Sequence, residues 1–256
     1  GMLVCGIKNI RDVKIGDTVV GAKKKDTPLL SGYSEILPMV FCGIYPVEAN
    51  EYEELKDSLE KLALNDSSFT YEPETSTALG FGFRCGFLGL LHMNIIQERL
   101  EREFKLNLIS TAPSVAHTVN TTDGKVIQVD NPSDMPDANY IETITEPIVA
   151  ITIHVPNEFV GRIIKLCEER RGVQTDLKYI TTDRVQLIYE LPLSEMVFDF
   201  YDKLKSLTKG YASMDYEYLE NKASDLVKVD VLLNGDAVDA LSLICHRSNA
   251  FYKGRA

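Results

Sequence analysis

The segment Thr75–Glu98, TSTALGFGFRCGFLGLLHMNIIQE, concentrates the residue types most able to do chemistry: four glycines (Gly80, Gly82, Gly86, Gly89), three phenylalanines (Phe81, Phe83, Phe87), Arg84 and His92. Dense glycines can let a backbone cradle phosphates. These do not make G-x-G-x-x-G, however, and G-x-x-x-x-G-K-[ST] occurs nowhere in the chain, so a nucleotide loop is not expected. There is no G-x-S-x-G, no H-E-x-x-H and no familiar Cys-His pairing. The four histidines (His92, His117, His154, His246) stand singly, as packed or exposed side chains rather than ligands. The residues assemble no reaction centre, and the expected sets are catalytic none, cofactor none and metal none.

Two binding chemistries remain. Gly80-Phe81-Gly82-Phe83 echoes the centre of the aromatic signature by which RNA-recognition motifs stack on bases. The match stops at Leu79, Arg84 and Gly86, where that signature has a cation, an apolar residue and an aromatic. The competing reading buries the three rings, with the glycines admitting a neighbouring backbone. The second chemistry is phosphate contact. Arg162, Lys165, Arg170 and Arg171 lie on and just after one helix, and Lys203, Lys205 and Lys209 on another, as cations that contact nucleic-acid phosphates would. The same residues also suit a solvated helix face whose terminal cations answer the helix dipole.

The elements that would position these residues follow from periodicity. Residues 1–36 read as short strands and turns, one edge of a β-barrel, with Lys23-Lys24-Lys25 in a loop. From Pro38 the pattern is a strand over Met39–Tyr45, then a helix with Asn50 and Glu53 in capping-box positions and Tyr52, Leu55, Leu59 and Leu62 on one face. Strands over Ser68–Glu72 and Leu79–Cys85, a helix over Leu91–Phe104 and a strand over Leu106–Ala112 complete β-α-β-β-α-β. The order repeats: a strand over Ile148–Val155, a helix from Asn157 closed by Arg170-Arg171 and a C′ Gly172, two strands about Thr182-Asp183, a helix from Pro192 and Ser194 to Gly210, and a strand over Ala212–Leu219. Asp123-Gly124 turns a hairpin between the two units, Asp130–Pro136 is a turn-rich link, and Asn234-Gly235 turns a last hairpin.

The 256 residues suit about two domains at roughly 150 each. No apolar run approaches the ~18–20 residues of a membrane-spanning helix. Five scattered cysteines (Cys5, Cys42, Cys85, Cys167, Cys245) read as reduced thiols of a cytosolic protein. A net charge of −11 disfavours a surface wholly given to nucleic acid, and no DNA partner is expected. Residues 48–74 hold nine acidic and two basic side chains, and residues 120–146 six and one, so both segments are expected to face away from any RNA partner.

Pro38-Met39-Val40-Phe41, Glu72-Pro73-Glu74-Thr75, Leu79 through Met93, Ser110-Thr111-Ala112-Pro113-Ser114-Val115 and Ser206 through Ser213 together resemble the elongation factor 4 (LepA) family of ribosomal translation GTPases. Gly89-Leu90-Leu91-His92 is similar to the Gly-Glu-Leu-His element of the translocase elongation factor G, with Leu90 in place of Glu.

The resemblance implies an α+β fold: residues 1–36 the tail of a β-barrel, 37–119 a first ferredoxin-like domain (elongation factor G domain III-like), 120–145 an acidic hairpin and linker, 146–222 a second ferredoxin-like domain (domain V-like), and 223–256 the beginning of a family-specific C-terminal domain. It implies a portion lacking the GTPase domain, which would carry GTP and Mg. The partners implied are rRNA, ribosomal proteins and, through the missing C-terminal part, tRNA. The role would be back-translocation, fidelity or ribosome assembly, performed as a monomer in the cytoplasm, with peripheral membrane association in family members. Arg84 and His92 are the implied interdomain or ribosome contacts. The alternatives are a stand-alone RNA-recognition-type module or a ligand-sensing ferredoxin-like pair, which would need a polar pocket between its units.

Overall fold

A computed structural model describes residues 4, 6, 16–23, 27, 28, 30, 38–66, 68–197 and 199–255. The β-barrel tail expected over 1–36 lies largely outside the described residues.

The first unit runs β1 (Val40–Pro46), α1 (Tyr52–Ala63), β2 (Thr70–Ser76), β3 (Gly80–Phe87), α2 (Leu90–Glu103) and β4 (Leu108–Ser110). Its strands lie in the order β2-β3-β1-β4, every pair antiparallel, which is the split βαβ arrangement. Pro73 is tolerated because β2 is the edge strand. One sheet face carries the helices. Leu55, Leu59 and Leu62 of α1 and Ile96 and Leu100 of α2 are essentially fully buried there, at about 1.5–3 kcal/mol of burial each. A short β5 (Ser114–Val115) returns to pair with β1 at Val40 and Phe41.

The second unit runs β8 (Ile141–Pro156), α3 (Val160–Glu169), β9 (Val173–Tyr179), β10 (Arg184–Pro192), α4 (Leu193–Met196), α5 (Phe200–Leu207) and β11 (Ser213–Ala223). Its order, β9-β10-β8 with β11 on the other side of β8, repeats that of the first. Between the units, β6 (His117–Thr121) and β7 (Val126–Val129) form the hairpin at Asp123-Gly124. This hairpin is not a free link: Thr145 of β8 pairs with Thr118 of β6 on one side and with Ala223 of β11 on the other. The connector therefore extends the second sheet. Val119, Val129, Ile144 and Leu226 form a small core beneath it. A larger continuous core runs through both units.

After β11, β12 (Leu226–Leu233) and β13 (Asp236–His246) form a two-stranded sheet, followed by α6 (Ala250–Arg255). The hairpin is docked at two points. Asp239 accepts hydrogen bonds from Ser76 Oγ (2.9 Å) and Thr77 N (2.8 Å) at the β2–β3 turn, and Lys253 Nζ lies 3.4 Å from both carboxylate oxygens of Glu195.

Several local expectations are revised. Asn50 lies in a single 3-10 turn and α1 begins at Tyr52 without a side-chain cap, so the capping box does not form. The helix expected from Ser194 to Gly210 is broken into α4 and α5, and Tyr201 is 47 % exposed. The closing strand of the first unit spans three residues, not seven. Phe83 is buried on the helix-bearing face, stacked on Tyr52 at 5.0 Å. Phe81, two residues earlier and so on the same face, meets Tyr52 edge-on at 6.1 Å but is 67 % exposed, so the reading that buries all three rings fails for it. Neither ring lies on the open face of the sheet, and the RNA-recognition-type reading is not favoured.

Candidate functional site

On the open face of the first sheet, Gly43, Gly82 and Gly86 clear space. A Cβ at Gly82 would lie 2.4 Å from the Tyr45 ring and 2.6 Å from the Ile44 carbonyl oxygen. Tyr45 Oη, laid over that gap, donates to Glu74 Oε2 at 2.6 Å, and Asn131 of the connector donates to the other oxygen of the same carboxylate. Arg84, on the same face, donates through Nη2 to Ser114 Oγ (2.6 Å) and to the Asp130 carbonyl oxygen. Arg84 thus ties the first unit to the segment just after β7. These residues, the loop at Asp130–Asp134 and Asp239 of β13 enclose a polar cleft of about 350 Å³. Glu72 and Glu74 come to it from one acidic segment, and Asp130 and Asp134 from the other.

His92 serves a different junction. Its Nδ1 accepts from the Leu88 N–H at 3.1 Å, and its Nε2 lies 2.9 Å from Asp66 Oδ2. That assigns the Nε2–H tautomer and pins the start of α2 to the α1–β2 loop. Burial would push the Asp66 carboxyl up, but hydrogen bonds from Ser68 and His92 outweigh it and hold it below the usual range. Beside His92, a Cβ at Gly89 would meet Tyr216 Oη of β11 at 2.8 Å, so this segment abuts the second unit.

The seven candidate cations divide sharply. α3 buries Ile163, Leu166 and Cys167, which leaves Arg162 and Lys165 outward. The Arg162 guanidinium sits 5.7 Å over the Phe159 ring, and Lys165 is 78 % exposed, 3.8 Å from Glu169. The helix ends in a Schellman turn: Arg171 N bonds the Glu168 carbonyl at 3.1 Å and Gly172 N the Cys167 carbonyl at 2.8 Å. Arg171, not Gly172, occupies the left-handed position, with φ 60°. Gly172 is required for another reason, since its Cβ would fall 2.7 Å from the Cys167 oxygen.

Arg170 and Arg171, expected among the rRNA contacts, point into the protein instead. Arg171 forks onto Glu146 (Nη1–Oε1 2.6 Å, Nη2–Oε2 3.0 Å) and reaches Glu195 at 3.3 Å. Arg170 pairs with Asp199 and lies 3.8 Å from Glu195. The Glu146 and Glu195 side chains are 1 % and 2 % exposed. Burial alone would raise the Glu146 carboxyl, but hydrogen bonds from Arg171, Ser224 and Ser194 and the guanidinium charge outweigh it and hold it below its ordinary value. On α5, Lys203 pairs with Asp199 at 2.6 Å, and Lys205 Nζ donates to the Ala212 carbonyl at 2.7 Å. Lys209 takes the left-handed position of a second Schellman turn, with φ 53°, and is exposed. Arg162, Lys165, Lys203 and Lys209 therefore remain the exposed cations of the set, Arg162 also donating to the Leu207 carbonyl at 3.4 Å.

The carboxylates that decide this division, Glu146 and Glu195, were missed in the sequence. The signal for Glu146 was a carboxylate heading the apolar run Pro147-Ile148-Val149. Among the described residues, no group of three or more His, Cys, Asp or Glu side chains is arranged to hold a metal ion, and no helix is long and apolar enough to cross a membrane.

The model of Elongation Factor G, domain III, matches residues 37–112, the first unit, and that of the Elongation factor G C-terminus matches 143–232, spanning the second. The two split βαβ units are thus those of an elongation-factor-G-type translation factor. Three curated proteins named Elongation factor 4 are similar along the chain. Those of Nitratidesulfovibrio vulgaris and Oleidesulfovibrio alaskensis are 59 % and 57 % identical over 256 residues, covering 100 % of this chain and 43 % of each relative. That of Halalkalibacterium halodurans is 57 % identical over 255 residues, covering 100 % of this chain and 42 % of the relative. The chain belongs to the elongation factor 4 family, and it spans less than half the length of these relatives.

Proposed function

We propose that the chain is a ribosome-docking, non-catalytic portion of a GTP-dependent translation factor. The observation that carries this reading is identity of 57–59 % to Elongation factor 4 proteins across all 256 residues, together with two elongation-factor-G-type units. The units act mechanically, docking on rRNA and ribosomal proteins and relaying the nucleotide state of the factor through their interfaces. Arg162, Lys165, Lys203 and Lys209 supply phosphate contacts. Arg170 and Arg171 fix the geometry of the second unit that presents them, and Arg84 and His92 hold interdomain and interelement joints.

The chain carries no G-x-x-x-x-G-K-[ST] sequence, and GTP and Mg are the cofactors expected of the full-length factor. Both belong, on this reading, to parts of the longer relatives outside this chain, as does tRNA contact. The factor works as a monomer in the cytoplasm, with peripheral membrane association as a further property of the family. Sedimenting this chain and a full-length relative with ribosomes tests the proposal. Co-sedimentation of both is expected; no association even by the full-length protein would overturn it.

A further inference from the structure

His117 opens β6 at the point where four parts of the chain meet, and it is 2 % exposed. Neither of its ring nitrogens makes a well-formed hydrogen bond among the described residues, the Val115 backbone giving only a weak one. A neutral imidazole carries one donor and one acceptor, and leaving both unpaired in a dry interior costs about 1–3 kcal/mol apiece. The ring does not abut a dry wall. It lines a cavity of about 30 Å³ shared with ten other residues, most of them apolar. Three of the ten, Ser114, Ser194 and Ser242, bring hydroxyls. Ser194 Oγ donates to Glu146 Oε2 at 3.0 Å, and Ser242 Oγ to Asp230 Oδ1 at 2.8 Å, so each has spent its proton and keeps an accepting lone pair.

We propose that His117 and the serine hydroxyls around it hold a structural water, which joins the connector, the second unit and the C-terminal hairpin at one point. The volume suits it, since a water needs about 10–15 Å³ of such space and two to four polar partners. An entry path exists as well. Ala112, Pro132 and Ser242 line both this cavity and the 350 Å³ polar cleft, so solvent in the cleft adjoins the site. The charged pair facing the ring, Glu146 and Arg171, is already mutually satisfied and leaves the imidazole to the water.

A crystal structure of the chain that resolves ordered solvent tests this, with a second crystal pressurised with xenon and water-oxygen relaxation dispersion in solution. The expected result is a water about 2.7–3.2 Å from a His117 nitrogen and a serine oxygen, and no xenon in the cavity. The long-lived hydration signal should fall by one water in His117→Phe. Ser242→Ala, at a partly exposed hydroxyl outside the ion-pair network, gives the same readout if His117→Phe fails to fold. A dry cavity, xenon occupancy, an ion in place of water, or an unchanged dispersion amplitude in the variants would overturn the proposal.

Discussion

Arg171 forks onto Glu146 through two hydrogen bonds of 2.6 and 3.0 Å, from a backbone position with φ 60° that L-residues adopt at a cost of roughly 1–2 kcal/mol. The pair closes α3 against the start of β8, and it is joined by Glu195, Arg170 and Lys253. The strain at the helix end is thus held by a buried carboxylate rather than relieved by glycine.

Removing one member of this pair leaves the other charge buried. Arg171→Ala and Glu146→Ala are each expected to destabilise the chain by about 3–5 kcal/mol in urea unfolding. The double variant should lose less than the sum. A loss below about 1 kcal/mol in either single variant would show the network to be dispensable.

Acid should weaken the fold through His117. Burial, opposed by Glu146 and the Val115 backbone and aided by Arg171, pushes its pKa down to about 4 from the ordinary 6.5. Because the unfolded chain takes up the proton first, this contribution is complete above pH 6.5 and is lost as pH falls from 6.5 to 4. A tenfold difference in proton affinity between the folded and unfolded chain is worth about 1.4 kcal/mol, so up to about 3 kcal/mol disappears across that window. The urea midpoint of His117→Gln should be flatter than that of the parent between those pH values. Parallel profiles would refute the assignment. Glu146, held below its ordinary value, adds its own loss at lower pH.

Two glycines of one helix should respond oppositely to alanine. At Gly172 the new Cβ would press on the Cys167 carbonyl at 2.7 Å, and a cost of about 1–3 kcal/mol is expected. At Gly161, inside α3 with nothing within 4 Å, alanine should stabilise by about 0.5–1 kcal/mol. Thermal unfolding of the two variants, side by side, measures the contrast.

The outward and inward cations should separate in function. Combined Arg162→Ala, Lys165→Ala, Lys203→Ala and Lys209→Ala is expected to weaken ribosome binding and to lower the salt slope by about one for each phosphate that no longer meets a cation. Stability should stay within about 0.5 kcal/mol of the parent for each exposed substitution. Equal binding at every salt concentration would remove these residues from the interface.

Much of the architecture was legible because it rests on local periodicity. The leucines of α1, the paired prolines Pro46 and Pro156 that end the first strand of each unit, and the recurring order of elements all lie within short windows of sequence. What periodicity could not convey was pairing at a distance. Whether Arg171 meets phosphate or Glu146 depends on a carboxylate 25 residues away, across a strand and a helix. The connector was read as a link because its turn residues are local, whereas the pairing of Thr118 with Thr145 that makes it part of a sheet is not. Gly172 drew the expected glycine cap, but the side chain that takes φ > 0 is Arg171, whose ion pairs compensate for its Cβ.

The connector between the units is stitched at both ends: β6 and β7 belong to the second sheet, and Asp130, just beyond β7, is held by Arg84 and Ser114 of the first unit and its return strand. No free tether is left there to decouple them. In solution the two units should therefore tumble with a single rotational correlation time, as one lever rather than two beads.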